Sequence, residues 1–502
     1  MGKLRKTGKK DINEPLTSES EQKPSVPVTS SLKENIEYIT KELRNSNDLK
    51  LRILEEGKAV IVYLESLADQ DKIHEKFFEA YSRTPNADLV NASSGKKMDD
   101  REKIIQVLLQ GHLAFGWEGS TYMLTFNTTA SFNSSVEEPD SEKVVRGSHE
   151  GFVDNIIINI NLIRKRIENK KLVVKFMDLG KETKTKIAVI YMDGIVNPKC
   201  VKEVEKRLMA ISTDSIISPG YIEEFIEDHA YSPFPQMLYT ERPDRTVANI
   251  MDGRVGILAE GSPTMLLAPA TFFAFYQSPD DYNSRWFTGT FIRLIRLFSF
   301  LIAIGLPAFY ISIVGFHFEV IPQDLVIPVK SSINDIAYPP IVEALVMVII
   351  IELIREAGIR LPTPVGQTIG IVGGLVIGDA IVRAGLVSNF MIIVVALTAI
   401  ASFVVPSNEM STTLRLLTFP LIIFSATLGF VGIVFGMLLL LIHLCRLESF
   451  GTPYFSPMAP LHIRYLKDTF VRFPLFKMNR RPKDTRSIKK TAQKRSREWR
   501  KR

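Results

Sequence analysis

Cysteine is nearly missing from this chain: 2 copies in 502 residues, Cys200 and Cys445, far apart and without ligand-like neighbours. That excludes a disulfide framework and a cysteine-based zinc site. Cys445, at the end of an apolar run, is read as an inert buried thiol or an acylation point. Histidine is scarce as well, with 7 scattered copies, and HExxH, GxSxG and P-loop patterns are all missing. The nearest approach, SSGKK at 93–97, lacks the earlier glycine of a phosphate loop. No catalytic residue, metal or cofactor is therefore expected, and the chain is not read as an enzyme. The opening MGKLRKTGKKDINEP has no apolar core after its basic start, so no signal peptide is read, and Lys6 stands where a myristoylation site has Ser or Thr. The front half is expected in the cytoplasm.

Acidic residues are rare at the other end. From Arg446 to Arg502 there are 17 Lys and Arg against 4 Asp and Glu, leaving 45 against 51 before it, so the net charge of +7 belongs to the tail. A basic segment after a final apolar run marks the cytoplasmic side and meets anionic lipid head groups; nucleic acid is not the expected partner.

What is present divides sharply. Residues 1–30 are polar and read as a disordered tail. SLKENIEYITKELRNSNDLKLRIL reads as a charged helical pattern, KAVIVYLESL as a buried strand, DDREKIIQVLLQ as a helix, and LAFGWEG and TYMLTF as strands. Together they make a first α/β subdomain, 31–140, closed by the polar stretch NTTASFNSSVEEPDSE. A second, 141–285, has Phe152, Ile156, Ile160, Ile163 and Ile167 at helical spacing, then the strands KLVVKFMD and KIAVIYMDG. A helix opened by Pro198 and the strand GRVGILAEG complete it.

After Phe287 come runs long enough for about 30 Å of hydrocarbon. They are Phe298 to Phe316 with Arg285, Arg293 and Arg296 before it, a short Ile341 to Ile354 carrying Glu343 and Glu352, Pro364 to Val387, Phe390 to Val405, and Leu414 to Cys445. The short run reads as tilted or half-buried. The last contains Pro420, Gly429, Gly432 and Gly436 and is one kinked helix or two, so the count is four, five or six, with Arg355 and Arg360 leaning to six. The expected architecture is a cytoplasmic α/β domain of two subdomains, an α-helical polytopic membrane domain over 286–446, and a basic cytoplasmic tail, 447–502. No convincing internal repeat is found.

One span gives up side-chain bulk. Gly366, Gly370, Gly374 and Gly378, with Gly373 beside them, share one sector of a helix, which invites close backbone packing. Opposite lie Thr368, Val372, Leu375, Asp379 and Arg383. A carboxylate in hydrocarbon costs about 2.5 to 3.5 kcal/mol on insertion scales. Two readings stay open. Asp379 pairs with Arg383 near the head groups, or repeated copies of the helix surround a wet path that Thr368 and Asp379 line and Val372, Leu375 and Val376 close. The second requires an oligomer.

EEPDSEKVVRGSHEGF, SPFPQMLYTERPDR, GRVGILAEGSPTMLLAP, QSPDDYNSRW, EALVMVIIIELIREAGIRLPTPVGQTIGIVGGLVIG, ALTAIASFVVPS and SFGTPYFSP, spread from Glu137 to Pro457, resemble the A subunit of GerA-type spore germinant receptors. The resemblance implies assembly with a transporter-like B subunit and a lipoprotein C subunit in the spore inner membrane, with both termini cytoplasmic. It also implies nutrient sensing by the receptor and a ring, a pentamer, gating monovalent cations through Pro364 to Gly378. The alternatives are a secondary-transporter-like component, against which the missing repeat counts, and a non-conducting signalling adaptor. Arg146, Glu150, Arg242 and Asp244 are subunit-interface candidates on the same ground. Two positions depart from the family pattern: Asp379 stands where Gln is usual, and Ser148-His149 where Pro-Arg is usual. No ligand-binding residue is assigned.

Overall fold

The computed structural model describes residues 25–83, 95–130, 138–139, 141–334, 336–361, 374 and 378–493. The chain divides into two compact units, Met1–Leu43 with Leu49–Ala130, and Arg44–Asp48 with Ser131–Arg502.

In the first unit α1, Leu32–Glu42, starts at Ser31, whose hydroxyl accepts the Glu34 N–H. The helical pattern expected through Leu54 stops at Glu42. Arg44 and Asn45 take positive φ (58° and 51°), a conformation Asn tolerates, and the chain turns into a strand. The strands are β1 (Leu49–Leu54), β2 (Ala59–Leu64), β3 (Lys96–Met98), β4 (His112–Trp117) and β5 (Met123–Asn127), with α2, Arg101–Leu109, before β4. They form one antiparallel sheet in the order β1-β2-β4-β5-β3.

The second unit opens with α3, Ile156–Arg166, then β6 (Leu172–Leu179) and β7 (Thr185–Met192). Helices α4 (Pro198–Ala210) and α5 (Pro219–Ile226) lead to β8 (Leu238–Thr240), and α6 (Pro243–Asp252) to β9 (Val255–Ala259) and β10 (Met265–Ala268). Its order, β6-β7-β9-β10-β8, reproduces that of the first sheet strand for strand. The match extends to side chains. Asn35 on α1 bridges the Thr29 N–H and C=O, and Asn159 on α3 bridges those of Val153 in the same way. Glu118 accepts the Leu32 N–H at 3.0 Å, and Glu260 accepts the Ile156 N–H at 3.3 Å, each a carboxylate at a helix N-terminus. The chain thus holds an internal repeat that the sequence reading did not find.

The apolar remainder is helical: α7 (Trp286–Phe316), α8 (Gln323–Asn334), α9 (Pro340–Arg360), α10 (Asn389–Phe403), α11 (Asn408–Leu428) and α12 (Phe430–Arg446). Among the described residues α7 and α11 are long and apolar enough to cross a membrane, while α10 and α12 are shorter apolar helices. The run Leu414 to Cys445 is two helices, broken at Gly429 with φ 59°. Residues 447–493 are not a free tail. Tyr454 is fully buried, its hydroxyl donating to Pro235 O at 2.7 Å, and Asp484 pairs with Arg254. Arg481 donates to Met251 O, Lys489 O and Thr491 O. Part of the expected basic surface is therefore spent inside the fold.

Candidate functional site

Side-chain ties set the direction of the apolar helices. Thr418 Oγ1 on α11 donates to Ala303 O at 3.0 Å, and Ser425 meets Ala308 O and the Ser312 hydroxyl, so α7 and α11 run the same way. The first tie has a cause in the sequence. Pro307 has no N–H, which leaves the carbonyl four residues earlier, Ala303, without its helical partner. Helix α12 folds back along α11. A side chain at Gly432 would collide with the Phe424 carbonyl, and one at Gly436 would lie 2.6 Å from Leu421 Cδ1, so both glycines are needed for the approach. Helices α9 and α10 run together: Glu343 accepts the Ser388 N–H at 2.9 Å at one end, and Arg355 donates to Ser402 at 3.1 Å at the other. Glu343 is buried, its carboxyl set against the N-terminus of α10.

Of the residues singled out for a conducting path, Thr368, Val372, Leu375 and Val376 lie outside the described residues, as do Gly366, Gly370 and Gly373. Asp379 and Arg383 form an i,i+4 ion pair at 2.8 Å, with side chains 57% and 79% exposed. An added Cβ at Gly374 or Gly378 meets nothing within 4 Å. Among the described residues nothing covers Gly374 or Gly378, in contrast to Gly432 and Gly436.

The four interface candidates separate into two kinds. Arg242 is completely buried; it holds Asp244 at 2.8 Å and donates to Ser148 O and Glu142 O, so these two residues strap the 142–148 loop from inside. Arg146 and Glu150 are exposed on that loop, and Glu150 pairs with Arg166.

The site that sequence reasoning missed lies at the start of α7. Arg293 and Arg296, read there as flanking positive charge, are buried against Asp281, and Arg293 also reaches Asp468 at 2.9 Å. Tyr282 donates to the second Asp468 oxygen at 2.8 Å. The C-terminal segment is thus ionically fastened to the first apolar helix. The acidic partners in QSPDDYN and LKDTF were visible in the sequence, but their separation of nearly 190 residues gave no signal. Among the described residues no group of His, Cys, Asp and Glu is placed to hold a metal ion.

A second junction joins the α/β repeat to the hairpin of α11 and α12. Thr413 Oγ1 donates to Pro233 O, and Ser232 Oγ lies 2.9 Å from His443 Nε2, so both arms of the hairpin land on one loop. Beside it opens a cleft of about 470 Å³, lined by Glu223, Glu227, Pro233, Phe234 and Glu409.

Against known proteins, residues 37–484 match the family described as Bacillus/Clostridium GerA spore germination protein. Spore germination protein KA of Bacillus subtilis (strain 168) is 37% identical over 491 residues, 95% of this chain and 90% of that protein. Spore germination protein B1 of the same organism is 39% identical, covering 91% and 97%. An uncharacterized membrane protein, YfkQ, also from that organism, is 36% identical, covering 94% and 95%. Among solved structures, the N-terminal domain of the A subunit of the Bacillus megaterium spore germinant receptor GerK3 aligns with 50% of this chain and 99% of its own, at 29% identity and a TM-score of 0.39.

Proposed function

Because this chain belongs to the GerA family of spore germination proteins, we propose that it is the A subunit of a germinant receptor whose copies assemble in the membrane around a path for monovalent cations. The observation that carries the reading is that Gly374 and Gly378 on one side of this segment, and the Asp379–Arg383 pair on the other, are both left open among the described residues. Bare backbone and a charge pair exposed within one chain find packing and water when copies of the helix meet. The outward faces of the bundle agree with a lipid surround, since Phe298, Val431, Val434 and Phe309 are exposed there. On this reading α7 and α11 leave the α/β end and α9, α10 and α12 return to it, so the chain must cross once more between α9 and α10. Both termini are then cytoplasmic. The ring is a homo-oligomer, a pentamer by family resemblance, in the spore inner membrane with a B subunit and a lipoprotein C subunit. Arg146 and Glu150 present the 142–150 loop to a neighbour, with Arg242 and Asp244 holding it. Basic residues of the tail that are not bonded inside the fold meet anionic lipid.

The Asp379–Arg383 pair also favours a second reading, a non-conducting adaptor in which the two charges lie at the head groups. Potassium flux from liposomes holding the purified chain decides between them. Flux that changes when Val372 or Leu375 is enlarged, and whose cation preference changes with Asp379→Asn, supports the channel. A silent chain whose Val372, Leu375 and Asp379 variants all germinate normally leaves the adaptor.

A further inference from the structure

The cleft between α5 and the start of α11 brings carboxylates together across a mechanical joint. Glu223 and Glu227 lie one turn apart, on α5 and just past its end, and Glu409 faces them from the first turn of α11. Other ionisable groups surround them. Glu224 and Asp228 act on Glu227, and Arg207 takes up Asp228 at 2.7 Å. Tyr239 faces Glu223 and Glu409 from β8, and Arg245 and Glu142 face Glu409 from behind. His229 and Arg446 lie near His443 at the foot of α12. Gln236 offers Glu227 a hydrogen bond at 3.5 Å, and one Glu409 oxygen is buried with no donor among the described residues. Among the described residues the groups acting on Glu223 are the carboxylates Glu409 and Glu227 and the Met237 N–H. Two hydrogen bonds tie the joint: Thr413 on Pro233, and Ser232 with His443.

We propose that this joint is a proton-operated latch, closed while the carboxyls of Glu223, Glu227 and Glu409 carry protons and forced apart as they ionise together. The inference goes beyond the conducting role and holds whether or not the assembly conducts.

Burial, with Glu409 and Glu227 adding like charge, pushes the Glu223 carboxyl up to about 8, and burial with Glu224 and Asp228 pushes Glu227 up to about 7. Both lie above the ordinary value of 4.5, so the sign is the reverse of the usual carboxylate case. The closed joint has its full stability below the ordinary value and loses it as pH rises, until both groups are charged above about 8. Two or three like charges then share one half-buried cleft and repel one another across it. Because α11 is bonded to α7 at Thr418 and Ser425, movement at its first turn is passed to the helix pair.

The test is a distance across the cleft in the full-length chain in lipid nanodiscs. Nitroxide labels go on Tyr221 of α5 and Leu416 of α11, both exposed. Exposed Cys445 is replaced by Ser, while buried Cys200, its thiol pushed up to about 12 by burial, stays unlabelled. Pulsed electron resonance from about pH 5 to about pH 9 brackets both carboxyls. The expected result is a label distance that widens with a midpoint between 7 and 8, and that stays at its low-pH value in Glu223→Gln/Glu227→Gln. A distance that does not change with pH in the parent chain overturns the proposal, as does widening that persists in the double variant. Should that variant not elute as the parent does, Glu409→Gln, which removes the third carboxyl of the cleft, must reduce the widening for the proposal to stand. The readout contains no ion flux, so its failure is separable from failure of the channel reading.

Discussion

At the scale of single residues, charge does most of the specifying. Arg293 is enclosed between Asp281 and Asp468, with Arg296 completing the set, so each charge is met by an opposite one. Buried pairs of this kind gain little over apolar packing, but breaking one strands a charge and costs roughly 3–5 kcal/mol. Arg293→Ala is therefore expected to lower the thermal midpoint of the purified chain more than any exposed substitution, as read by unfolding in detergent. Arg293→Lys is expected to recover only part, because an ammonium cannot serve Asp281 and Asp468 with the two-sided geometry of a guanidinium. Nothing in the sequence distinguished Arg293 from Arg285, which sits at the N-cap of α7 without a side-chain capping bond. Both read as flanking positive charge, since a local pattern carries no information about a partner far along the chain. Arg242 shows the same limit: its motif was legible as important, but its inward direction was not.

At the scale of elements, periodicity served where neighbours decide and failed where a turn does. Ile156, Ile160 and Ile163 are buried along α3 as their spacing implies. The helix expected to run on to Leu54 was ended by the turn at Arg44 and Asn45, whose left-handed backbone no apolar count detects. The repeat left a written trace, WEGSTYML beside AEGSPTML, at the same place in each sheet, but one short match in two diverged units was too little without the strand order. Proline and threonine on neighbouring helices offer a test of element pairing. Thr418→Val removes the donor to Ala303 O, and a buried carbonyl left bare costs about 1–3 kcal/mol. In a Pro307→Ala background that carbonyl regains an N–H from its own helix, so the same substitution is expected to cost clearly less. A double-mutant cycle on thermal stability measures the difference, and simple additivity would refute the link.

At the scale of the whole molecule, the segment after α12 unites what composition had made look separate. Its net positive charge read as a surface property, yet Arg472 and Arg481 are buried and Tyr454 is a core side chain. Phe272 and Phe273 pack against Phe455, and Phe273 against Phe470, so the aromatic core of the second repeat is completed by chain that enters after the apolar helices. Fully burying one such ring contributes about 1.5–3 kcal/mol. Two truncations separate folding from lipid contact. Ending the chain at Arg446 is expected to uncover these rings and release Arg293 from Asp468, giving aggregation or a large loss of protease resistance in detergent. Removing only 494–502 takes away six Lys and Arg and one Glu. Protease resistance is then expected to be unchanged, while the affinity of a soluble version of the basic peptide for anionic vesicles falls by roughly 1 kcal/mol per lost cation at low salt. If the short truncation unfolds the protein, or if vesicle binding is indifferent to it, the lipid role assigned to the basic end is wrong and its charge belongs to the fold alone.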